Sequence, residues 1–120
     1  MKFLIVDDSR AMRMIIARTL KQAGFGDHPV VQASNGTEAL EMIQTESPDF
    51  VLSDWNMPEM LGIELLQKMR EDHPDIRLGF ITSESSVEVK TLAKSSGAEF
   101  VLTKPFTAET MANTLQPILG

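Results

Sequence analysis

Five short apolar runs, at residues 3–6, 30–31, 50–52, 78–81 and 100–102, constrain this chain more than any other feature. Most of their residues are β-branched or aromatic, and the runs are continuous where a half-exposed strand would alternate. That pattern fits strands covered on both faces, as in a parallel sheet. Between them lie stripes at helical spacing. Met12, Ile15, Ile16, Leu20 and Ala23 form the first, and Ala39, Leu40 and Ile43 the second. Ile63, Leu66 and Met69 follow, then Val89, Leu92 and Ala93, and finally Ala108, Met111, Leu115 and Ile118. Asn35 with Glu38 and Ser85 with Glu88 read as capping-box starts. Gly24 and Gly26, Pro48, Pro74 and Gly97 mark helix ends. The strand–helix unit therefore repeats five times. Right-handed crossovers make it a doubly wound α/β fold, a five-stranded parallel sheet with helices on both faces.

At 120 residues the chain is expected to be one domain, 1–120, large enough to bury a core without staples. It has no cysteine, which excludes disulfides and thiolate metal sites. His28 and His73 each precede a proline in expected loops, too far apart in sequence to suggest a histidine metal site. The apolar start Phe3-Leu4-Ile5-Val6 stops at Asp7-Asp8, too short for a secretory core, and no run approaches the roughly 20 apolar residues of a membrane span. A cytoplasmic, monomeric protein is the expectation. The formal net charge of −6 disfavours a direct grip on nucleic acid. Arg10, Arg13 and Arg18 read as a solvated helix face.

A doubly wound sheet places its ligand site beyond the carboxyl ends of its strands. The residues there are Asp7 and Asp8 after the first run, Asp54 after the third, Thr82 after the fourth and Lys104 after the fifth. Singly, each has an ordinary reading as a turn acid, a strand end or a surface lysine. At the same end of one sheet they make a site. Clustered carboxylates resist ionisation unless a cation joins them, and an all-oxygen set suits Mg²⁺. Asp8 and Asp54 are the expected direct ligands, with Asp7 acting through water and the Asn56 carbonyl completing the shell. Lys104 can hold a phosphoryl oxygen and Thr82 can donate a hydrogen bond to another. Asp54, flanked by the others, is the candidate nucleophile, because a carboxylate that attacks phosphorus forms an acyl phosphate.

The segments Leu4-Ile5-Val6-Asp7-Asp8-Ser9, Ser53-Asp54-Trp55-Asn56-Met57-Pro58, Phe80-Ile81-Thr82-Ser83 and Thr103-Lys104-Pro105-Phe106 resemble the signature set of response-regulator receiver domains, over the full chain. The Asp54-to-Pro58 run is most similar to the chemotaxis-type, CheY-like branch. The resemblance implies phosphorylation of Asp54 by a histidine kinase, the flavodoxin-like strand order 2-1-3-4-5 and a cis Lys104–Pro105 bond. It implies Asn56 and Glu84 as tuners of the phosphoryl lifetime. It also implies a partner surface built from the fourth helix, fifth strand and fifth helix. Two positions depart from the pattern. Leu61 stands before Gly62 where the family commonly has Asp. Val101 stands where the family has its aromatic switch partner to Thr82, and Phe100, one residue earlier, should face the other side of the strand.

The leading expectation is a stand-alone phosphoacceptor switch in chemotaxis or motility, with a receiver of a different two-component pathway as the alternative. It is not expected to be an enzyme acting on external substrates, and self-phosphorylation from small donors and self-dephosphorylation are expected. A magnesium phosphohydrolase with an aspartyl intermediate fits less well, since the first acids are adjacent and no residues remain for a cap. Flavin or nucleotide binding fits worse, because the Asp7-Asp8-Ser9-Arg10 loop has acids where phosphate needs amides. A degenerate, unphosphorylated scaffold is opposed by the complete acidic set. With no ring at Val101, coupling from pocket to surface is expected through residues 83–86, which only Val87 would anchor.

Overall fold

The computed structural model describes residues 1–119. The chain alternates β1 (Phe3–Val6), α1 (Arg10–Leu20), β2 (Val30–Ala33), α2 (Gly36–Glu46), β3 (Phe50–Ser53), α3 (Gly62–Asp72), β4 (Arg77–Thr82), α4 (Val87–Ser95), β5 (Val101–Thr103) and α5 (Ala108–Leu119). All strands are parallel, in the order β2-β1-β3-β4-β5. The Lys104–Pro105 bond is cis.

The side-chain period of two splits each apolar run between two cores. Leu4 and Val6 of β1, Val51 of β3 and Leu78 and Phe80 of β4 pack with Ala39 and Ile43 of α2, the inner face of α3 and Ala93 of α4. Phe3 and Ile5, Phe50 and Leu52, and Ile81 pack with Ile16 and Leu20 of α1 and Met111 and Leu115 of α5. Phe100 joins this second core, its ring stacked on Phe50 at 6.0 Å, whereas Val101 packs on the first. The two residues face opposite sides, as the strand period requires. The Phe100 ring lies over Gly79, where any Cβ would collide with it.

Several details differ from the sequence reading. Ile15 is 43% exposed, because the stripe facing the sheet runs through Ile16, Leu20 and Ala23 and leaves Ile15 on the flank. Leu92 is 44% exposed, since Ala93 alone of α4 is buried. Ser86, not Ser85, caps α4, accepting from the Val89 amide at 3.2 Å, one residue later than the Ser-x-x-Glu spacing suggested. Asn35 does cap α2, but Glu38 turns to the amide and hydroxyl of Ser34 instead of closing the box. The first helical segment continues past Leu20 and ends at Gly24, whose φ of 103° favours glycine. The fifth strand begins at Val101, leaving Phe100 just outside it.

Candidate functional site

The carboxyl edge of the sheet gathers the expected residues because the central strands end in register. Val6 pairs with Ala33 on one side and Ser53 on the other, and the amide of Asp54 donates to the Val6 carbonyl at 2.9 Å. Asp7 and Asp54 therefore leave adjacent strands side by side. On the far side, the Lys104 amide donates to the Thr82 carbonyl at 2.9 Å, which ties the residue after β5 to the end of β4.

Lys104 is the hub. Its Nζ lies 3.0 Å from Asp7 Oδ2 and 3.2 Å from Asp54 Oδ2, and its side chain is only 17% exposed. Asp7 also accepts from the Ser9 amide at 2.9 Å, and Asp54 Oδ1 accepts from the Trp55 amide at 2.7 Å. Burial pushes the Asp7 carboxyl above its ordinary value, against the Ser9 and Lys104 contacts that favour its charge, and Asp54 adds repulsion. Burial works to lower the Lys104 pKa, but the Asp7 hydrogen bond and the Asp54 and Asp7 charges outweigh it and leave it raised. Asp8 is exposed, and among the described residues its carboxylate has no hydrogen bond or ion pair with the protein.

Each of Asp7, Asp8 and Asp54 offers one carboxylate oxygen, and these atoms lie within 4.8 Å of one another. One ammonium pairs with two of the three carboxylates, so the site retains uncompensated negative charge. A hard divalent cation with oxygen ligands and retained waters fits that donor set. Thr82 is fully buried at the end of β4, and its Oγ1 accepts from the Glu84 amide at 3.2 Å, leaving its own proton to donate. Asn56 Nδ2 donates to Glu84 Oε1 at 2.7 Å, so the two rim residues join the β3 side to the β4 side.

Four features of the site were not legible in the sequence. Gly62 folds the loop after β3 back onto Asp54: its amide donates to the Trp55 carbonyl at 2.7 Å, and a Cβ there would strike the Asp54 carbonyl and the Phe80 ring. The same loop turns through Glu59 at a φ of 71°, with the Met60 amide donating to the Pro58 carbonyl at 2.8 Å. Leu61, at the N-cap of α3, is 40% exposed and offers no acceptor; only the returning half of a capping box exists, from its amide to Glu64 Oε1 at 3.0 Å. Arg13 corrects the solvated-face reading. It is half-buried and donates to the Asp7 carbonyl at 2.7 Å and to Gln32 Oε1 at 3.1 Å, whereas Arg10 and Arg18 are exposed as expected. Arginine spacing alone carries no sign of that contact.

A doubly wound sheet that brings three acids and a lysine to its carboxyl edge defines a class, and the comparison with known families agrees. The chain belongs to the response regulator receiver domain family, whose profile matches residues 3–116. Within that family its relatives include chemotaxis proteins. Chemotaxis protein CheY1 of Helicobacter pylori is 39% identical over 123 aligned positions, covering 100% of this chain and 98% of the relative. The CheY homologue of Campylobacter jejuni is 37% identical, covering 100% of this chain and 93% of its own length. Among solved structures, the chemotaxis protein CheY4 of Vibrio cholerae matches with a TM-score of 0.87 at 38% identity over 98% of both chains. A receiver domain protein from Clostridium thermocellum matches at 0.84 and 27% identity, covering 97% of this chain and 91% of that one. No helix among the described residues is long and apolar enough to cross a membrane.

Proposed function

We propose that this receiver domain accepts a phosphoryl group on Asp54 from a phosphohistidine of a histidine kinase and thereby switches protein contacts, in chemotaxis or motility. The observation that carries this reading is the sharing of one half-buried ammonium, Lys104, between the Asp7 and Asp54 carboxylates, while the Asp8 carboxylate has no protein partner among the described residues. An Asp54 oxygen forms the new bond to phosphorus as the donor's P–N bond breaks. Lys104 then holds a phosphoryl oxygen, and Thr82 donates its hydroxyl to another in a charge-assisted bond. Asp7, Asp8, Asp54 and the Asn56 carbonyl would hold Mg²⁺, which when bound supplies charge neutralisation for the transferring oxygens. Asn56 and Glu84, joined by a 2.7 Å hydrogen bond, are assigned to tuning the phosphoryl lifetime, as the family resemblance implies.

Output passes to a protein target on the face of α4, β5 and α5. With Val101 in the place of a ring, movement of residues 83–86 carries the signal. Ser83, Ser85 and Ser86 are exposed, and Val87 is 76% exposed, so the anchor expected at that position does not hold the loop. The protein acts in the cytoplasm as a monomer without DNA contacts of its own.

Acetyl phosphate with Mg²⁺ should add one phosphoryl group by intact mass, lost in Asp54→Asn. Label that survives the substitution places the nucleophile elsewhere, and catalytic turnover of phosphate esters favours a phosphohydrolase.

A further inference from the structure

Asp7 and Asp54 are each anchored by their side chains, but Asp8 is not. Asp7 is held by Lys104 and Ser9, and Asp54 by Lys104 and the Trp55 amide. The carboxylate of Asp8 is exposed and has no protein partner among the described residues, so only its backbone sets its direction. The peptide unit that joins it to Asp7 is therefore the part to explain. The Asp7 amide is fixed on the sheet by the Ala33 carbonyl at 3.2 Å. The Asp7 carbonyl lies past the end of β1, and the Arg13 guanidinium donates to it at 2.7 Å. Arg13 can do this because helical side chains lean toward the N-terminus, and its own amide closes the first turn onto the Ser9 carbonyl at 3.0 Å. Gln32 of the edge strand β2 holds the guanidinium from the other side, at 3.1 Å to Nε. The arginine fork thus joins α1, β2 and the acidic loop. A lysine, with a single charged nitrogen, cannot make both contacts in this geometry.

We propose that Arg13 is a positioning residue that fixes the Asp7–Asp8 peptide and so aims the Asp8 carboxylate into the cation site. The proposal rests on the reading of the acidic triad as a divalent-cation site. Its sign separates it from simple electrostatics. Removing a nearby positive charge should strengthen cation binding at an acidic site, whereas loss of a positioning contact should weaken it.

The test compares wild type, Arg13→Met, Arg13→Lys, Gln32→Ala and Asp8→Asn. Mg²⁺ affinity is read by calorimetry and by the fluorescence of Trp55, which adjoins Asp54. Backbone relaxation at Asp8 and Ser9 is read by NMR in the metal-free protein. Arg13→Met should raise the Mg²⁺ Kd about tenfold, the low end for outer-shell partners. Arg13→Lys should recover part of this loss, and Gln32→Ala should cost less than Arg13→Met. In an Asp8→Asn background the Arg13→Met effect should largely vanish, since the two act through one carboxylate. Unchanged or tighter Mg²⁺ binding in Arg13→Met overturns the proposal. If wild type itself binds no Mg²⁺, the cation reading has failed, and the metal-free relaxation decides instead. Greater mobility of Asp8 in Arg13→Met then supports a positioning role, and wild-type rigidity overturns it.

Discussion

The centre of the sheet and its β5 edge are packed to different depths. At the centre, β3 is buried at every residue, and α3 buries Gly62, Ile63, Leu65, Leu66 and Met69. At the edge, all three residues of β5 are only half-buried, and α4 buries Ala93 alone. The pocket straddles this boundary. Asp7 and Asp54 follow the two fully buried strands, β1 and β3, while Lys104 follows the half-buried β5. Local opening is cheapest where few apolar contacts are lost. The acids therefore leave strands that hold their geometry, whereas Lys104 leaves a strand that opens at lower cost. This asymmetry, not an aromatic ring at Val101, is what supports the proposed output on the α4 side.

The contrast is most directly broken by paired truncations. Leu66→Ala in α3 should cost about 2–5 kcal/mol, the usual range for a fully buried leucine, while Leu92→Ala in α4 should stay within about 0.5 kcal/mol. Urea unfolding of both variants checks this, and equal losses would erase the distinction. Gly79→Ala comes next, at about 1–3 kcal/mol of destabilisation from overpacking. Its added methyl meets the Phe100 ring, which pins the start of the β5 edge onto Phe50. A neutral result would mean that β5 yields even there.

Leu61→Asp should act in the opposite direction. It supplies the missing acceptor at the α3 N-cap, completes the box with Glu64 and should stabilise by about 1 kcal/mol. Amide exchange across α3 would show whether the deeply packed centre gains protection.

The smallest effect concerns Asp7 in the absence of divalent cation. Its folded pKa is raised above the ordinary 3.8, so the native state holds the proton more tightly than the unfolded chain does. Its contribution is most favourable below pH 3.8 and is lost as pH rises through the folded value, leaving ionised Asp7 a cost at neutral pH. Asp7→Asn should then melt higher than wild type at pH 7, by about 4 °C for each kcal/mol relieved, with the gap closing in acid. Lys104 has a dependence of the same sign, at higher pH. Its raised pKa contributes stability below 10.5 that is lost as pH rises through the folded value. Thermal melts across pH, with and without Mg²⁺, measure both.

The sequence by itself determined what depends on local pattern. Continuous β-branched runs and three-to-four-residue stripes specify strand and helix, since burial on both faces or along one stripe leaves a periodic trace. Short crossovers then bring Asp7, Asp8, Asp54, Thr82 and Lys104 to one edge. Val101 and Phe100 could be assigned to opposite faces from the strand period alone. Only the tertiary structure decided what depends on a partner distant in sequence. That Ile15 and Leu92 are exposed depends on which part of a stripe meets the sheet, which a stripe does not state. The need for glycine at positions 62 and 79 comes from Asp54, Phe80 and Phe100 pressing on them. The reach of Arg13 to the Asp7 carbonyl depends on how far the helix swings over the edge strand, and no spacing rule encodes that angle. Periodicity reports how a residue sits on its own element, while contacts between elements follow from packing, which is a property of the whole chain.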